Sequence, residues 1–301
     1  MAAVLVITGP TGVGKTELTL RLAEHFGCPI VSADSRQIYR EIPIGTAAPT
    51  ADELARVRHF FVGTKSVTEN YNAGQYERDC LAVLKDLPFS ILTGGSMLYI
   101  DAVCKGLDDI PTISQRYRDE VRNGYQQNGL GWLQQEVQRL DPDYWNEVDQ
   151  NNPQRLMHCI EVSLSAGQPY SSFRRQAQQK RDFTITKVAL ERPREELYER
   201  INCRVEQMFA AGLENEARTV YPLRHLNSLQ TVGYRELFDY FDGKTTREEA
   251  IRLIKQNTRH YAKRQMTWFR ADKTIHWLNA NETYETQLDT ISTWLRLDGV
   301  R

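Results

Sequence analysis

The sequence predicts an α/β protein: a mostly parallel sheet with helices on both faces, plus an inserted all-helical domain. Three observations carry this. Short apolar runs alternate with helical patterns over the first hundred residues, a long stretch then shows helical periodicity without a strand, and a strand-like run returns the chain to the sheet. Strand and helix in alternation make a parallel sheet, because each crossover needs a helix to carry the chain back. Runs that are apolar throughout suit strands buried on both faces.

Taken in order, Met1–Ile7 opens the chain as a buried strand, with Val4–Ile7 its most apolar part, and Thr16–Phe26 has helical periodicity. Ile30–Ser32, Phe60–Val62 and Phe89–Leu92 are short, β-branched or aromatic, and followed by turn residues, so they predict strands. Tyr76–Leu87 predicts a helix. After about Pro111 the pattern changes: Ser114 to Lys180 is rich in Gln, Asn and Arg, and its helical periodicity is broken by Gly124, Gly129, Pro142, Pro153 and Gly167. The expected division is a catalytic core of 1–111 and 183–301 around a helical insertion at 112–182. Phe183–Leu190 rejoins the sheet, helices follow at Arg194–Ala211 and Thr246–Phe269, and Thr274–Leu278 predicts a last strand before a short C-terminal helix.

Composition mostly excludes. A length of 301 residues suits two domains, and 41% hydrophobic with 26% charged residues is globular rather than disordered. The 38 basic and 39 acidic side chains exclude a polycationic arm, although a basic stripe can hide in a neutral total. No apolar run approaches the ~18 residues of a membrane span, so no membrane partner is expected. Lys15 is the first basic residue, so no basic leader is expected. The cysteines, Cys28, Cys80, Cys104, Cys159 and Cys203, are widely spaced with no Cys-x-x-Cys pair. That fits reduced thiols in the cytoplasm, and neither a disulfide framework nor a zinc site.

Gly9-Pro10-Thr11-Gly12-Val13-Gly14-Lys15-Thr16 matches G-x-x-x-x-G-K-[ST] in full, between a strand and a helix. The sheet is therefore P-loop NTPase-like. The glycines let successive amides face one anion at the positive end of a helix. Lys15 supplies a point charge for the phosphates, and the Thr16 hydroxyl is placed to hold Mg²⁺. The usual ligand is a nucleoside triphosphate, which makes a kinase the default. Against it, no Asn-Lys-x-Asp guanine signature occurs, and Ile91-Leu92 runs into Thr93-Gly94-Gly95 rather than into a magnesium-holding Asp. A second loop, Ser32–Tyr39, begins at the carboxyl edge of the sheet. There Asp34 either accepts a proton from an attacking nucleophile or sits near Mg²⁺, or it caps a helix, a role for which Asp and Ser are preferred.

Further motifs follow in order: Asp34-Ser35 with Gln37 and Tyr39, Ile44-Gly45-Thr46-Ala47 with Pro49, Gly94-Gly95-Ser96 with Leu98-Tyr99, and Gln154-Arg155-Leu156 with Glu161-Val162. Val232-Gly233-Tyr234 comes next, then Thr258-Arg259-His260-Tyr261-Ala262-Lys263-Arg264-Gln265 with Thr267-Trp268-Phe269-Arg270. Together with the phosphate loop, over nearly the whole chain, they resemble the tRNA dimethylallyltransferases, also called tRNA isopentenyltransferases. The resemblance implies transfer of a dimethylallyl group from dimethylallyl diphosphate to N6 of the adenosine 3′-adjacent to the anticodon, with Asp34 as general base. It also implies that Thr11, Lys15 and Thr16 hold diphosphate and Mg²⁺, with Arg204 as a further cation. Arg204 would otherwise read as a surface cation on an amphipathic helix. Three positions depart from the family pattern: Ala48 replaces a Lys, Gly63 an Asp, and Ser96 a Thr. Ser96 keeps the hydroxyl, and Ala48 and Gly63 remove two side chains from the active-site half without touching the loop or Asp34.

Ile251–Arg270 holds Arg252, Lys255, Arg259, Lys263, Arg264 and Arg270 and no acidic residue. Positions 252, 255, 259 and 263 share a helix face that can track phosphates. A second basic stretch, Arg174-Arg175, Lys180-Arg181 and Lys187, reads equally as a solvated face. By resemblance, the contacts to the tRNA anticodon stem-loop are Asp34, Ser35, Arg36, Gln37, Ser96, Arg118, Gln154, Arg155, Gly233, Tyr234, Arg235, Arg259, Lys263 and Arg264. Tyr234 and Trp132 either stack on unpaired bases or belong to the core. A monomer is expected. The competing readings are a P-loop kinase, a prenyltransferase acting on free adenine nucleotide, and an RNA-binding protein that uses nucleotide as a switch.

Overall fold

The structure is a computed structural model and describes residues 2–174 and 179–300; Met1, Arg175 and Arg301 lie outside the described residues. The chain divides into two compact units, Met1–Lys105 with Lys180–Arg301, and Gly106–Gln179.

The first unit is built on one six-stranded sheet. Its strands are β1 (Ala2–Thr8), β2 (Ile30–Ser32), β3 (His59–Phe60), β4 (Phe89–Thr93), β5 (Phe183–Glu191) and β6 (Ile275–Asn279), in the order β3-β2-β4-β1-β5-β6. Every pairing is parallel. The helices are α1 (Lys15–Phe26), α2 (Pro43–Thr46), α3 (Ala51–Arg56), α4 (Ala73–Leu84) and α5 (Met97–Lys105) before the interruption. The second unit contributes α6 (Gln115–Leu140), α7 (Pro142–Trp145) and α8 (Pro153–Ala166); the first resumes with α9 (Arg194–Ala210), α10 (Leu213–Val220), α11 (Tyr234–Phe241), α12 (Arg247–Ala271) and α13 (Tyr284–Leu297).

Alternation along β1 explains the two-sided core. Leu5 and Ile7 pack with Leu18 and Leu22 of α1, Leu197 and Ile201 of α9, and Ile291 and Leu295 of α13. Val4 and Val6 face the other way, onto Tyr76 and Cys80 of α4, Ile100 and Val103 of α5, and Phe269 of α12. A third cluster joins Ile38, Ile42, Val205, Leu213, Tyr234 and Ile254. The chain leaves β1 and skips over β4 to form β2. The carboxyl ends of β1, β2, β4 and β5 therefore open on one crevice, where ligands of such sheets bind.

Two expected elements are corrected. The helix expected at Tyr76–Leu87 runs Ala73–Leu84, because Asn72 and Gln75 form a capping box that starts it earlier. The strand expected at Phe60–Val62 is His59–Phe60, since Phe61 has a left-handed φ of 62° and ends the extended backbone.

In the second unit α6 is interrupted where Gly129 takes φ 71° and ψ −165°. Val121, Leu133, Val137, Leu156, Cys159 and Ile160 make its core. Asp141, fully buried, accepts from the Tyr144 amide and from the Ser171 amide and hydroxyl, which satisfies its charge. The Trp132 ring lies over Gly124, where a Cβ would come within 2.3 Å of it, so Trp132 is a packing residue rather than a base-stacking one.

Candidate active site

The phosphate loop runs from the end of β1 into α1. Gly14 caps that helix with φ 118°, a conformation that glycine adopts without strain. Three side chains from distant elements fix the loop. Arg192, just past β5, donates to the Val13 carbonyl at 3.2 Å, and Arg200 on α9 donates to the Gly12 carbonyl at 2.9 Å. Gln265 on α12 accepts from the Thr11 amide at 2.9 Å. The Lys15 ammonium folds over the loop to donate to the Gly9 and Pro10 carbonyls. Burial, then Arg204, drive its pKa down to about 7, and Asp34 partly opposes them. The Thr16 hydroxyl is exposed and has no hydrogen bond among the described residues.

Asp34 follows β2. One carboxylate oxygen, Oδ1, accepts from the Arg36 and Gln37 amides at 2.9 and 3.2 Å; Oδ2 has no hydrogen-bond partner among the described residues. One oxygen thus caps the turn, while the other makes no hydrogen bond among the described residues. The Asp34 loop is tied to the loop after β4. The Ser35 amide donates to Ser96 Oγ at 2.8 Å, the Ser96 amide donates to the Ala33 carbonyl, and a Cβ on Gly94 would meet that carbonyl at 2.2 Å. The Thr93 hydroxyl donates to the Ile7 carbonyl at 3.0 Å, locking β4 to β1 where a magnesium-holding carboxylate would otherwise stand.

Arg204 on α9 completes the site. Burial and then Arg200 lower its pKa, with Asp34 opposing burial, and it makes no hydrogen bond or ion pair among the described residues. It is not the surface cation that its helix pattern alone suggests. Tyr261 on α12 donates to the Gly95 carbonyl at 3.2 Å, and burial, then Asp34, push its hydroxyl up to about 12. The phosphate loop, Asp34, Ser96 and Arg204 therefore converge, joined by Arg192, Arg200, Tyr261 and Gln265, whose roles the sequence did not assign. A signal existed for Gln265: it lies on the helix face of Ala262 and Phe269, and a polar residue on a buried face needs partners.

Several of the residues expected to contact RNA make hydrogen bonds within the chain. Tyr234 is fully buried, its hydroxyl donating to Glu216, so it cannot stack on a base; it belongs to the core. Gly233 is buried and caps α11 with φ 101°, its amide donating to Glu236. Arg36 donates to the Asn227 and Ser228 carbonyls, and Gln37 to the Thr46 and Ala47 carbonyls. Arg235 is exposed. The stripe on α12 is partly neutralised: Arg252 pairs with Glu249, Lys255 with Glu206, and Arg259 donates to Asn202. Lys263 and Arg264 are exposed without ion pairs among the described residues, and Arg259 and Lys263 line an open groove of about 370 Å³ with Arg194, Tyr198 and His260. In the second unit Arg118 lies exposed on α6, and Gln154 and Arg155 on the first turn of α8. In the second basic stretch, Arg181 pairs with Glu77 and Lys187 with Asp272, which makes those two structural.

Comparison with known proteins places these features in context. A family model described as IPP transferase matches residues 37–272. A tRNA dimethylallyltransferase 2 of Parabacteroides distasonis is 51% identical over 287 residues, spanning 94% of this chain and 96% of that one. A tRNA dimethylallyltransferase 1 of Phocaeicola vulgatus is 54% identical over 285 residues, spanning 93% and 95%. The crystal structure of a full-length tRNA isopentenylpyrophosphate transferase from Bacillus halodurans superposes with a TM-score of 0.71 at 31% identity, covering 99% of this chain and 97% of that one.

Proposed function

The chain belongs to the IPP transferase family, and on that premise we propose that it transfers a dimethylallyl group from dimethylallyl diphosphate to N6 of the adenosine 3′-adjacent to the anticodon of tRNA. The observation that carries the reading is a phosphate loop facing a carboxylate with one oxygen free. In the reaction the N6 lone pair forms a bond to C1 of the dimethylallyl group, the C1–O bond breaks, and the electron pair leaves with diphosphate. Asp34 Oδ2 takes the N6 proton. Lys15, Arg204 and the loop amides bind the diphosphate and stabilise the charge that grows on it, the kind of term worth about 3–4 kcal/mol per fixed donor.

The donor set suits Mg²⁺. Mg²⁺ keeps several waters and takes substrate phosphate oxygens as ligands, and the Thr16 hydroxyl, exposed at the start of α1, is a hard oxygen donor beside the phosphate loop. Thr16 would hold it, and it would neutralise charge on the leaving diphosphate. Arg118, Gln154, Arg155, Lys263 and Arg264, all exposed, suit phosphate and base contacts to the anticodon stem-loop. The reading carries with it a monomer acting in the cytoplasm; among the described residues no helix is long and apolar enough to cross a membrane. A kinase is set aside by the family.

The test mixes the protein, labelled dimethylallyl diphosphate and unmodified tRNA. Label should enter the RNA with release of diphosphate. Unlabelled RNA, with ATP hydrolysed in its presence, would overturn the reading.

A further inference from the structure

We infer that Gln265 is a positioning residue, which sets the distance between the diphosphate cradle and the general base. The inference rests on the transferase reading above. Gln265 is 1% exposed, and both ends of its amide are used. Oε1 accepts from the Thr11 amide of the phosphate loop at 2.9 Å, and Nε2 donates to the Gly95 carbonyl at 2.7 Å. One planar group thus joins the loop after β1 to the loop after β4.

From Gly95 the connection runs on to the base. Ser96 Oγ receives the Ser35 amide and donates to the Ser35 hydroxyl at 3.1 Å, and Ser35 adjoins Asp34, whose Oδ1 is fixed by the next two amides. Gly95 is glycine for the same reason: a Cβ there would lie 2.4 Å from Gln265 Nε2, so the amide occupies the space a side chain would need. Tyr261, one turn earlier on α12, donates to the same Gly95 carbonyl. The leaving group is held on one side of this bridge and the proton acceptor on the other. Gln265 reaches neither reacting atom; it acts through Thr11 and Gly95.

In-line transfer makes that separation matter. A displacement of about 1 Å between reacting groups can cost about a hundredfold in rate while leaving each substrate's own contacts in place. A merely structural glutamine would instead lower stability or weaken binding.

The test is Gln265→Met, which keeps length and shape and removes both hydrogen bonds, assayed by steady-state transfer. The expected result is a kcat lower by about thirtyfold or more, with KM for tRNA and for dimethylallyl diphosphate each within about threefold of wild type. A kcat within about threefold of wild type, or a loss carried by KM, would overturn the inference. Should Gln265→Met not fold, Gln265→Glu carries the test: it keeps the oxygen that accepts from the Thr11 amide and removes the donor to the Gly95 carbonyl. A drop of about threefold or more in kcat at unchanged KM supports the inference, and an unchanged kcat sinks it. Wild-type protein assayed alongside separates the two levels, because its failure to modify tRNA would refute the transferase reading instead.

Discussion

Arg204→Met should raise stability and lower activity together. Arg204 is half-buried beside Lys15 and Arg200, and no carboxylate is in contact with it among the described residues. Burying a cation without a partner costs the folded chain, and replacing buried charge by an apolar residue of similar length is often stabilising by about 1–4 kcal/mol. The gain should lie at the low end, since Asp34 still offsets part of the cost. About 1–2 kcal/mol would raise the midpoint of thermal unfolding by about 2–4 °C for each kcal/mol. Against the diphosphate the sign reverses: losing one fixed donor removes about 3–4 kcal/mol of stabilisation of the departing charge, a hundredfold or more in rate. Thermal melting without ligand and initial rates of dimethylallyl transfer read the two effects separately. A variant that melts below wild type, or one that transfers at the wild-type rate, would refute the reasoning and return Arg204 to the role of a surface cation.

Asp34→Asn keeps the oxygen that caps the turn and removes the base. Filter binding should show tRNA affinity unchanged while single-turnover transfer slows by about a hundredfold or more; full activity would remove Asp34 from the chemistry. Lys15, held at about 7 rather than 10.5, is neutral above that pH in the free protein and must gain a proton to pair with an anion. The ratio of inorganic diphosphate affinities, wild type over Lys15→Met, should therefore fall by up to about tenfold per pH unit above 7, and a flat ratio by calorimetry would contradict it. The stability sign is opposite: the cost of the ionised lysine is fully present below about pH 7 and fades as pH climbs toward 10.5. Tyr234→Phe deletes the hydroxyl bound to Glu216 and should cost about 1.5–3 kcal/mol in urea unfolding with tRNA affinity intact. Lost binding at unchanged stability would instead place Tyr234 against the RNA.

The phosphate loop and Asp34 were legible because each is a local pattern at the end of a strand, with its chemistry set by neighbours a few residues away. Gln265, Arg192 and Arg200 carry as much of the site, but their partners in the loop lie far off in sequence, and nothing local specifies the pairing. Tyr234 shows the converse. An aromatic after glycine in a familiar motif reads equally as a ligand contact or as core, and burial against Gly45, Ile42 and Glu216 decides for core. The basic stripe on α12 was legible only in part. Its charge pattern was correct, but the neutralising Glu206 comes from α9, a neighbour that periodicity cannot reveal.

Because β1 lies between β4 and β5, its hydrogen-bonding needs are met by strands on either side of the helical unit in sequence. During synthesis its first neighbour appears by Thr93, whereas its second begins only at Phe183. At ~5–20 residues per second, one edge of Ala2–Thr8 stays open for several seconds while Gly106–Gln179 is being made. That segment packs its helices mainly on near neighbours and can be completed on the ribosome before the sheet is. The nascent chain thus carries a bare, strongly apolar strand edge past a finished helical unit, which makes the early life of this protein its most aggregation-prone moment.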